Sequence, residues 1–190
     1  VVNNETTEEV EIKQEKVVED HMQVTQGKLV IGLTVNDTKE GSKYTASLYN
    51  AILGGGANSK LFQNVREKES LAYTAGSNYV RQKNSIFIRC GIEIENYEKA
   101  LQTIKQQLED IKNGEFDEKN IENSKNLIIE SVKSIPSEQD TEITYYYGQE
   151  LSSEFTTIDQ YIEKIKWQSK KEIIDLASKV KVNTIYFLRD

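Results

Sequence analysis

The chain has 190 residues, with 31 acidic side chains against 24 basic ones and a formal net charge of −7. This length is sufficient for one domain that buries a sizeable core. The acidic balance disfavours nucleic acid as a partner, because phosphate binding needs a basic face, and no apolar run is long enough to span a membrane. The single cysteine, Cys90, excludes an internal disulfide and predicts a cytoplasmic, reducing location.

Residues 1–22 are charged and poor in large apolar side chains, so we interpret them as a linker or arm leading from an upstream domain. One domain is then expected over residues 23–190. The chain begins with Val1 and its only methionine is Met22, which indicates a piece of a longer protein.

The chain is poor in metal ligands. Protein zinc sites are built from cysteine, histidine and carboxylate ligands and usually contain several nitrogen or sulfur atoms. The sequence offers only His21 and Cys90, which are 69 positions apart. We therefore expect no metal site in this domain, an exposed His21, and a Cys90 that is buried as a small apolar side chain.

The first half of the chain predicts a strand, a helix and a hairpin. Apolar residues alternate over 24–35, as in a half-buried strand. Ser42 can begin a helix that ends at Gly54, the first of three consecutive glycines. Residues 72–80 and 85–94 can form a hairpin around the turn sequence RQKN. Its second strand has one apolar face: Ile86, Ile88, Cys90, Ile92 and Ile94.

The second half is predicted to be mostly helical. Apolar residues recur there every three or four positions, and a residue suited to an N-cap precedes each segment. The predicted starts are Asn96, Asp117, Ser137, Thr157 and Ser169, the last two as capping boxes with Gln160 and Glu172. A strand rich in β-branched and aromatic residues, over 182–188, closes the chain.

This order of elements predicts an α+β fold with a mainly antiparallel sheet and helices packed on one of its faces. The strands are neighbours that can form a hairpin, and the helices are grouped together rather than alternating with strands. The pattern by itself does not choose among the many folds of this class.

The stretch between the first helix and the hairpin carries the most information. Residues 54–73 read GGGANSKLFQNVREKESLAY. Three successive glycines are entropically costly, so they need a reason: they end a helix, or they let another surface approach closely. Asn58 or Ser59 can then cap a short helix. Its apolar face would be Leu61, Phe62 and Val65.

This stretch resembles the second-half domain of the pitrilysin, or insulinase, family of zinc metallopeptidases, which includes processing peptidases. The shared pattern is a run of glycines, a small polar residue, a basic residue, Leu-Phe, and then Arg-x-x-x-x-Leu-x-Tyr. The matching residues are Gly54, Gly55, Gly56, Ser59, Lys60, Leu61, Phe62, Arg66, Glu67, Lys68, Leu71, Ala72 and Tyr73. The order of elements extends the resemblance more weakly over roughly residues 25–190.

The resemblance implies a role in peptide hydrolysis that this domain does not complete alone. In the family, zinc lies in the first-half domain on a His-x-x-Glu-His motif, which is absent here. The second-half domain supplies an arginine and a tyrosine, which correspond to Arg66 and Tyr73 as catalytic and substrate-binding residues. We also expect Gly54, Gly55 and Gly56, as substrate-binding positions, to let the domain lie close to a partner domain or a passing peptide. The implied partners are a peptide substrate and a zinc-binding N-terminal half, facing this domain in the same chain or across a dimer.

A second hypothesis follows from the same resemblance. The family also contains members that kept the fold without peptidase work, such as core subunits of a respiratory complex. The domain would then be a structural, assembly or partner subunit. Arg66 and Tyr73 favour the peptidase hypothesis, because packing alone does not require a guanidinium and a phenol at these positions.

Other patterns carry less information about function. The sequence GGGANSK lacks the second glycine before the lysine, and the Ser or Thr after it, of a phosphate-binding loop. Glu67 and Glu69 do not face each other on a helix, which favours a solvated surface over paired carboxylates. The side chains of 145–147, three tyrosines, point in different directions on a helix. Core and rim packing is the expected role for them, and a peptide-contacting surface is the alternative.

Overall fold

The domain combines one sheet with a layer of helices, and the computed structural model describes residues 14–39, 41–137, 139–150 and 155–190. Within these ranges the strands are β1 Lys16–His21, β2 Gly27–Val35, β3 Ala72–Val80, β4 Ser85–Ile92 and β5 Val180–Arg189. The α-helices are α1 Ser42–Gly54, α2 Tyr97–Lys112, α3 Glu118–Lys133, α4 Gln139–Glu150, α5 Ile158–Lys166 and α6 Lys170–Ala177. A π-helix spans Leu61–Lys68.

The strands form one mixed sheet in the order β1-β5-β2-β4-β3. β2 pairs antiparallel with both β4 and β5, and β3 pairs antiparallel with β4. The α+β prediction with a mainly antiparallel sheet is confirmed, and so is the hairpin. Asn84 in its turn has φ 45°, a left-handed conformation that asparagine tolerates. Ile94, expected on the apolar face of the second strand, lies just beyond β4 in a 3₁₀ turn.

The strand β1 lies within residues 1–22, which the sequence indicated to be a linker or arm. It pairs in parallel with β5, from Lys16 beside Thr184 to His21 beside Arg189. Its residues are mostly exposed, so no alternation of apolar and polar residues marks it in the sequence. Backbone hydrogen bonds to β5 place this strand at the edge of the sheet, and side-chain burial contributes little. Residues 1–13 of the predicted arm lie outside the described part of the chain.

One face of the sheet carries the main core. The residues of β2 and β4 that point to this face are buried: Leu29, Ile31, Leu33, Val35, Ile86, Ile88, Cys90 and Ile92. They belong to one cluster with residues of α1, α2 and α6, such as Leu53, Ile104 and Ile173. The intervening residues of β2, including Lys28 and Val30, are exposed or half-buried. Helices therefore cover one face of the sheet, as the alternation predicted.

Three predicted helix starts form capping boxes, in which side chain and backbone satisfy each other. They are Asp117 with Asn120, Thr157 with Gln160, and Ser169 with Glu172. Asn96 precedes α2 without a side-chain cap bond. Ser42 is the first residue of α1, and Gly41, at φ 83°, takes the N-cap position. The Ser42 hydroxyl donates instead to the carbonyl of Asp37 at 3.0 Å.

Buried ionisable groups predict a loss of stability at alkaline pH. Burial raises the pKa of the Cys90 thiol to about 12 and the pKa of Tyr79 to about 12, and it also raises the pKa of Tyr49. These groups ionise in the unfolded chain at about pH 8.5 for cysteine and about 10 for tyrosine. Above these values the unfolded state binds fewer protons than the folded state, so the free energy of unfolding falls as pH rises.

Urea unfolding between about pH 8 and 10.5 measures this effect. The variant Tyr49→Phe keeps the ring and removes one ionisable hydroxyl, so its free energy of unfolding should fall less steeply with pH. A free energy of unfolding that stays constant over this range would contradict the prediction.

Candidate functional site

Gly54 brings the end of α1 against the backbone of β3. A Cβ atom at this buried position would lie 2.4 Å from the backbone nitrogen of Ser77 and 2.9 Å from the carbonyl carbon of Gly76. Both distances are far shorter than a carbon contact allows, and backbone atoms do not move aside cheaply. A residue without a side chain is therefore required here by the domain itself.

The two following glycines have different surroundings. The Gly55 N–H donates to the carbonyl of Ala51 at 3.1 Å, and a Cβ on Gly55 would lie 2.6 Å from the Cα of Ala51. A Cβ on Gly56 would meet only the Leu127 side chain, at 3.4 Å, which is an ordinary contact. Close approach within the domain accounts for Gly54 and Gly55. The role of the three glycines in binding peptide stays a prediction, with Gly56 as the position that internal packing does not explain.

The predicted short helix is present and is a π-helix. Glu69 N–H donates to the carbonyl of Asn64, five residues before it, at 3.1 Å. The buried Ser59 hydroxyl accepts from the Phe62 N–H at 3.4 Å, as the sequence predicted for a cap. Leu61 and Val65 are fully buried. Runs of π-helical hydrogen bonds are rare and concentrate at functional sites.

Polar contacts hold the π-helix against α2. The Asn64 amide donates to the Gln107 side-chain oxygen at 2.7 Å, and Gln107 is buried. Lys60 lies 3.6 Å from Asp110 in an ion pair whose side chains are only 16% and 15% exposed. Such partly dehydrated contacts restrict the helix more than surface ion pairs do. These contacts fix the position of the segment that carries Arg66.

Arg66 stands on the exposed side of the π-helix. Its guanidinium carbon lies 4.6 Å from the centre of the Phe62 ring, which is a cation–π arrangement. Its Nε is 3.8 Å from Oε1 of Glu67, too far for a hydrogen bond. The Arg66 side chain is 42% exposed. A planar, permanently charged donor group is thus supported on one face and open to solvent elsewhere.

Tyr73 sits at an irregularity in β3. Ala72 pairs with Ile92 and Thr74 pairs with Gly91, so Tyr73 is the extra residue of a β-bulge. Its side chain is 54% exposed. A bulge takes a side chain out of the alternation of its strand, and bulges are frequent next to active sites.

A short turn joins the π-helix that carries Arg66 to the strand β3 that carries Tyr73. Ser70 has φ 51°, a left-handed conformation that is unusual for serine. The Leu71 N–H donates to the Val65 carbonyl at 2.9 Å, and the π-helix packs against β3. The two predicted site residues therefore project from adjacent elements. A shallow cavity of about 370 Å³ continues along β3 from Thr74 to Asn78, with Gly54 and Arg89 in its wall.

The only histidine and the only cysteine of the sequence, His21 and Cys90, lie on strands β1 and β4. His21 is exposed, and its Nδ1 lies 2.8 Å from the carbonyl oxygen of Asp190. Cys90 is buried and its thiol has a raised pKa, as expected for a small apolar role. Within the described ranges, no three His, Cys, Asp or Glu side chains are grouped so that they could hold a metal ion. No helix in the same ranges combines the length and apolar character needed to cross a membrane.

Comparison with known proteins identifies the domain. The family described as "Peptidase M16 inactive domain" matches residues 2–128. The chain belongs to the M16, or pitrilysin, family of peptidases. The resemblance inferred from residues 54–73 is confirmed, including the assignment to the C-terminal domain that carries no zinc motif.

The M16 domain matches parts of three longer proteins. "Probable inactive metalloprotease YmfF" of Bacillus subtilis (strain 168) is 35% identical over 190 residues, which are 100% of this chain and 44% of that protein. A conserved protein from Enterococcus faecalis V583 has a TM-score of 0.86 at 29% identity, covering 93% of this chain and 42% of that one. A protease from Helicobacter pylori shares the fold at a TM-score of 0.79 and 15% identity, over 92% of this chain and 44% of that one. The M16 domain spans less than half the length of each.

The sequence of the M16 domain indicated Arg66 and Tyr73 as candidate site residues, but not the contacts and backbone geometry that position them. The cation–π contact could have been noticed, because Phe62 and Arg66 are four residues apart on a predicted helix. The bond from Asn64 to Gln107 joins residues 43 positions apart, and no local pattern indicates it. Glycine or asparagine in the sequence would have indicated a left-handed residue or a bulge, but neither stands at Ser70 or Tyr73.

The glycines of the M16 domain allow a matched test of internal packing. Gly54→Ala should lower the free energy of unfolding by about 1–3 kcal/mol, because the new methyl group overlaps the β3 backbone. Gly56→Ala is the control, and its effect should stay within about 0.5 kcal/mol. Urea unfolding of both variants measures the difference. Equal stability of the two variants would show that α1 does not need to approach β3 so closely.

Proposed function

We propose that this M16 domain is the non-zinc half of a peptide-hydrolysis site, to which it contributes Arg66 and Tyr73. The zinc-binding half would lie elsewhere in the same protein or in a partner chain. One observation carries the proposal: both side chains are exposed on adjacent elements, where the backbone forms a π-helix and a β-bulge. Irregular backbone costs stability, and it is kept most often where function needs it.

Tyr73 is suited to stabilise the transition state of peptide hydrolysis. A zinc ion in the other half would supply Lewis-acid polarisation of the scissile carbonyl and an activated water. Negative charge then grows on the carbonyl oxygen. A phenol hydroxyl that donates to this oxygen binds the transition state more strongly than the substrate. The exposure of Tyr73 at the bulge makes its hydroxyl accessible to a peptide held by an opposing surface.

Arg66 is suited to hold the peptide backbone beside the reacting bond. Its guanidinium offers several donors in one plane and stays charged at every physiological pH. A donor to a neighbouring peptide carbonyl fixes the register of an extended substrate, whatever its side chains. This interaction exists in the substrate complex and in the transition state, so Arg66 contributes chiefly to binding.

The second hypothesis, a catalytically inactive structural or partner subunit, has its own support. The words "inactive domain" describe the family, and "inactive metalloprotease" describes the B. subtilis relative. The fold also occurs, at 11% identity, in a chain of Complex III2 from Candida albicans, with a TM-score of 0.72. At the same identity it occurs in the ferredoxin protease FusC bound to Arabidopsis ferredoxin, with a TM-score of 0.60. The fold alone therefore accommodates both hypotheses, and the side chains must distinguish them.

The decisive change is Tyr73→Phe in the full-length protein, assembled with its zinc-bearing half. We expect the turnover number for peptide cleavage to fall roughly 10²-fold or more, because one donor to the developing oxyanion is lost. The melting temperature should change little, since the hydroxyl is at an exposed position. Arg66→Ala should raise KM as well, because it removes binding in both states.

Two results would favour the inactive hypothesis. One is full peptidase activity of Tyr73→Phe with zinc in place. The other is the absence of cleavage by the wild-type assembly over a panel of unstructured peptides, with zinc content verified. A variant at an exposed aromatic residue outside the proposed pair, Trp167→Phe, serves as the control and should leave the kinetics unchanged.

The origin of the metal is a separate prediction. The isolated domain should retain no stoichiometric zinc after exposure to the metal and desalting, because its described residues group no suitable ligands. Elemental analysis per mole of protein measures this. One tightly held zinc ion per domain would place metal chemistry in this half and contradict the division of labour proposed here.

A further inference from the structure

Phe62 and Arg66 form a contact that the proposed chemistry of Arg66 does not by itself require. The guanidinium carbon lies 4.6 Å from the centre of the aromatic ring. The two residues are four positions apart on the π-helix and share one side of it. The Phe62 ring is only half-buried, whereas the neighbouring Leu61 and Val65 are fully buried. The ring is thus only partly buried, and one of its contacts is with Arg66.

Hydrogen bonds restrain the segment that carries the ring. The Phe62 N–H donates to the Ser59 hydroxyl at 3.4 Å, and Ser59 is 3% exposed. Two residues further on, the Asn64 side chain donates to the buried Gln107 of α2. The backbone at Phe62 is therefore restrained, which limits the positions that the plane of the ring can take. A guanidinium that lies over such a plane keeps its N–H groups directed outward from its edges.

We propose that Phe62 is a positioning residue for Arg66, holding the guanidinium in the orientation that receives a peptide carbonyl. This inference rests on the proposed function of Arg66. An arginine side chain has many rotamers, and ordering them on binding costs affinity. Stacking on Phe62 restricts them in advance. It also opposes rotation toward Glu67, whose carboxylate lies 3.8 Å from the Arg66 Nε and would compete for its donors.

A positioning role of Phe62 predicts a change in KM rather than in kcat. Phe62→Leu keeps an apolar side chain on the helix and removes the aromatic face. We expect KM for a peptide substrate to rise roughly 3- to 10-fold, in the range of a partly exposed cation–π contact, with little change in kcat. Phe62→Tyr restores an aromatic face and should restore KM.

A double-mutant cycle in the full-length, zinc-loaded assembly separates positioning from packing. The cycle compares the wild type, Phe62→Leu, Arg66→Ala and the double variant. If Phe62 acts through Arg66, Phe62→Leu has almost no further effect on KM once Arg66 is alanine. If the two effects multiply, Phe62 only packs, and this inference is overturned while the proposed function stands. If Arg66→Ala leaves KM and kcat unchanged, both proposals are overturned.

A spectroscopic measurement keeps the inference testable if Phe62→Leu does not fold. Protons of the Arg66 side chain lie over an aromatic face, so their NMR signals in the wild-type protein should be shifted upfield by the ring. Their assignment follows from the loss of these signals in Arg66→Lys. Signals at ordinary arginine positions in the wild type would show that the stack is not populated and would overturn the inference without any kinetic data.

Discussion

The close approach of Gly54 to the backbone of β3 is the constraint on which the candidate site depends. A single Cβ there would lie 2.4 Å from the Ser77 nitrogen, so α1 ends against the strand only because Gly54 lacks a side chain. The contact sets where the chain leaves α1 and hence where the π-helix begins. It also covers part of an edge strand, and exposed edge strands invite unwanted pairing. The contact between Gly54 and β3 therefore serves both the packing of α1 and the placement of the candidate site residues.

Three backbone irregularities then determine which side chains this part of the domain exposes. In a regular α-helix followed by a regular strand, the period of each element would determine the directions of the Arg66 and Tyr73 side chains. The π-helix, the left-handed Ser70 and the bulge replace that periodicity locally. Buried Leu61 and Val65, together with the bond from Asn64 to Gln107, supply the stability that such a segment needs. The buried side of the segment therefore stabilises its irregular backbone.

Under the proposed function, the domain supplies one half of a two-part site. An oxyanion donor and a backbone-binding cation are useful only when another surface holds the substrate and generates the nucleophile. Membership of the M16 family, in a chain that spans less than half the length of its relatives, agrees with such a division. The proposed positioning of Arg66 by Phe62 agrees with this division, since ordering a flexible side chain in advance lowers the entropy cost of binding a substrate.

The amino-acid sequence by itself determined the elements whose signals are local. Alternation in β2 and β4, the helix caps at Asp117, Thr157 and Ser169, and the pattern from Gly54 to Tyr73 sufficed for the fold class, the family and the two candidate side chains. Only the tertiary structure decided the rest. It placed β1, which has no apolar alternation, beside β5. It also showed that Gly54 is needed against β3, and that Tyr73 leaves its strand at a bulge. The physical reason is that each of these features depends on a contact with a distant part of the chain. Hydrophobic periodicity and residue propensity are local properties, so they do not indicate such a contact.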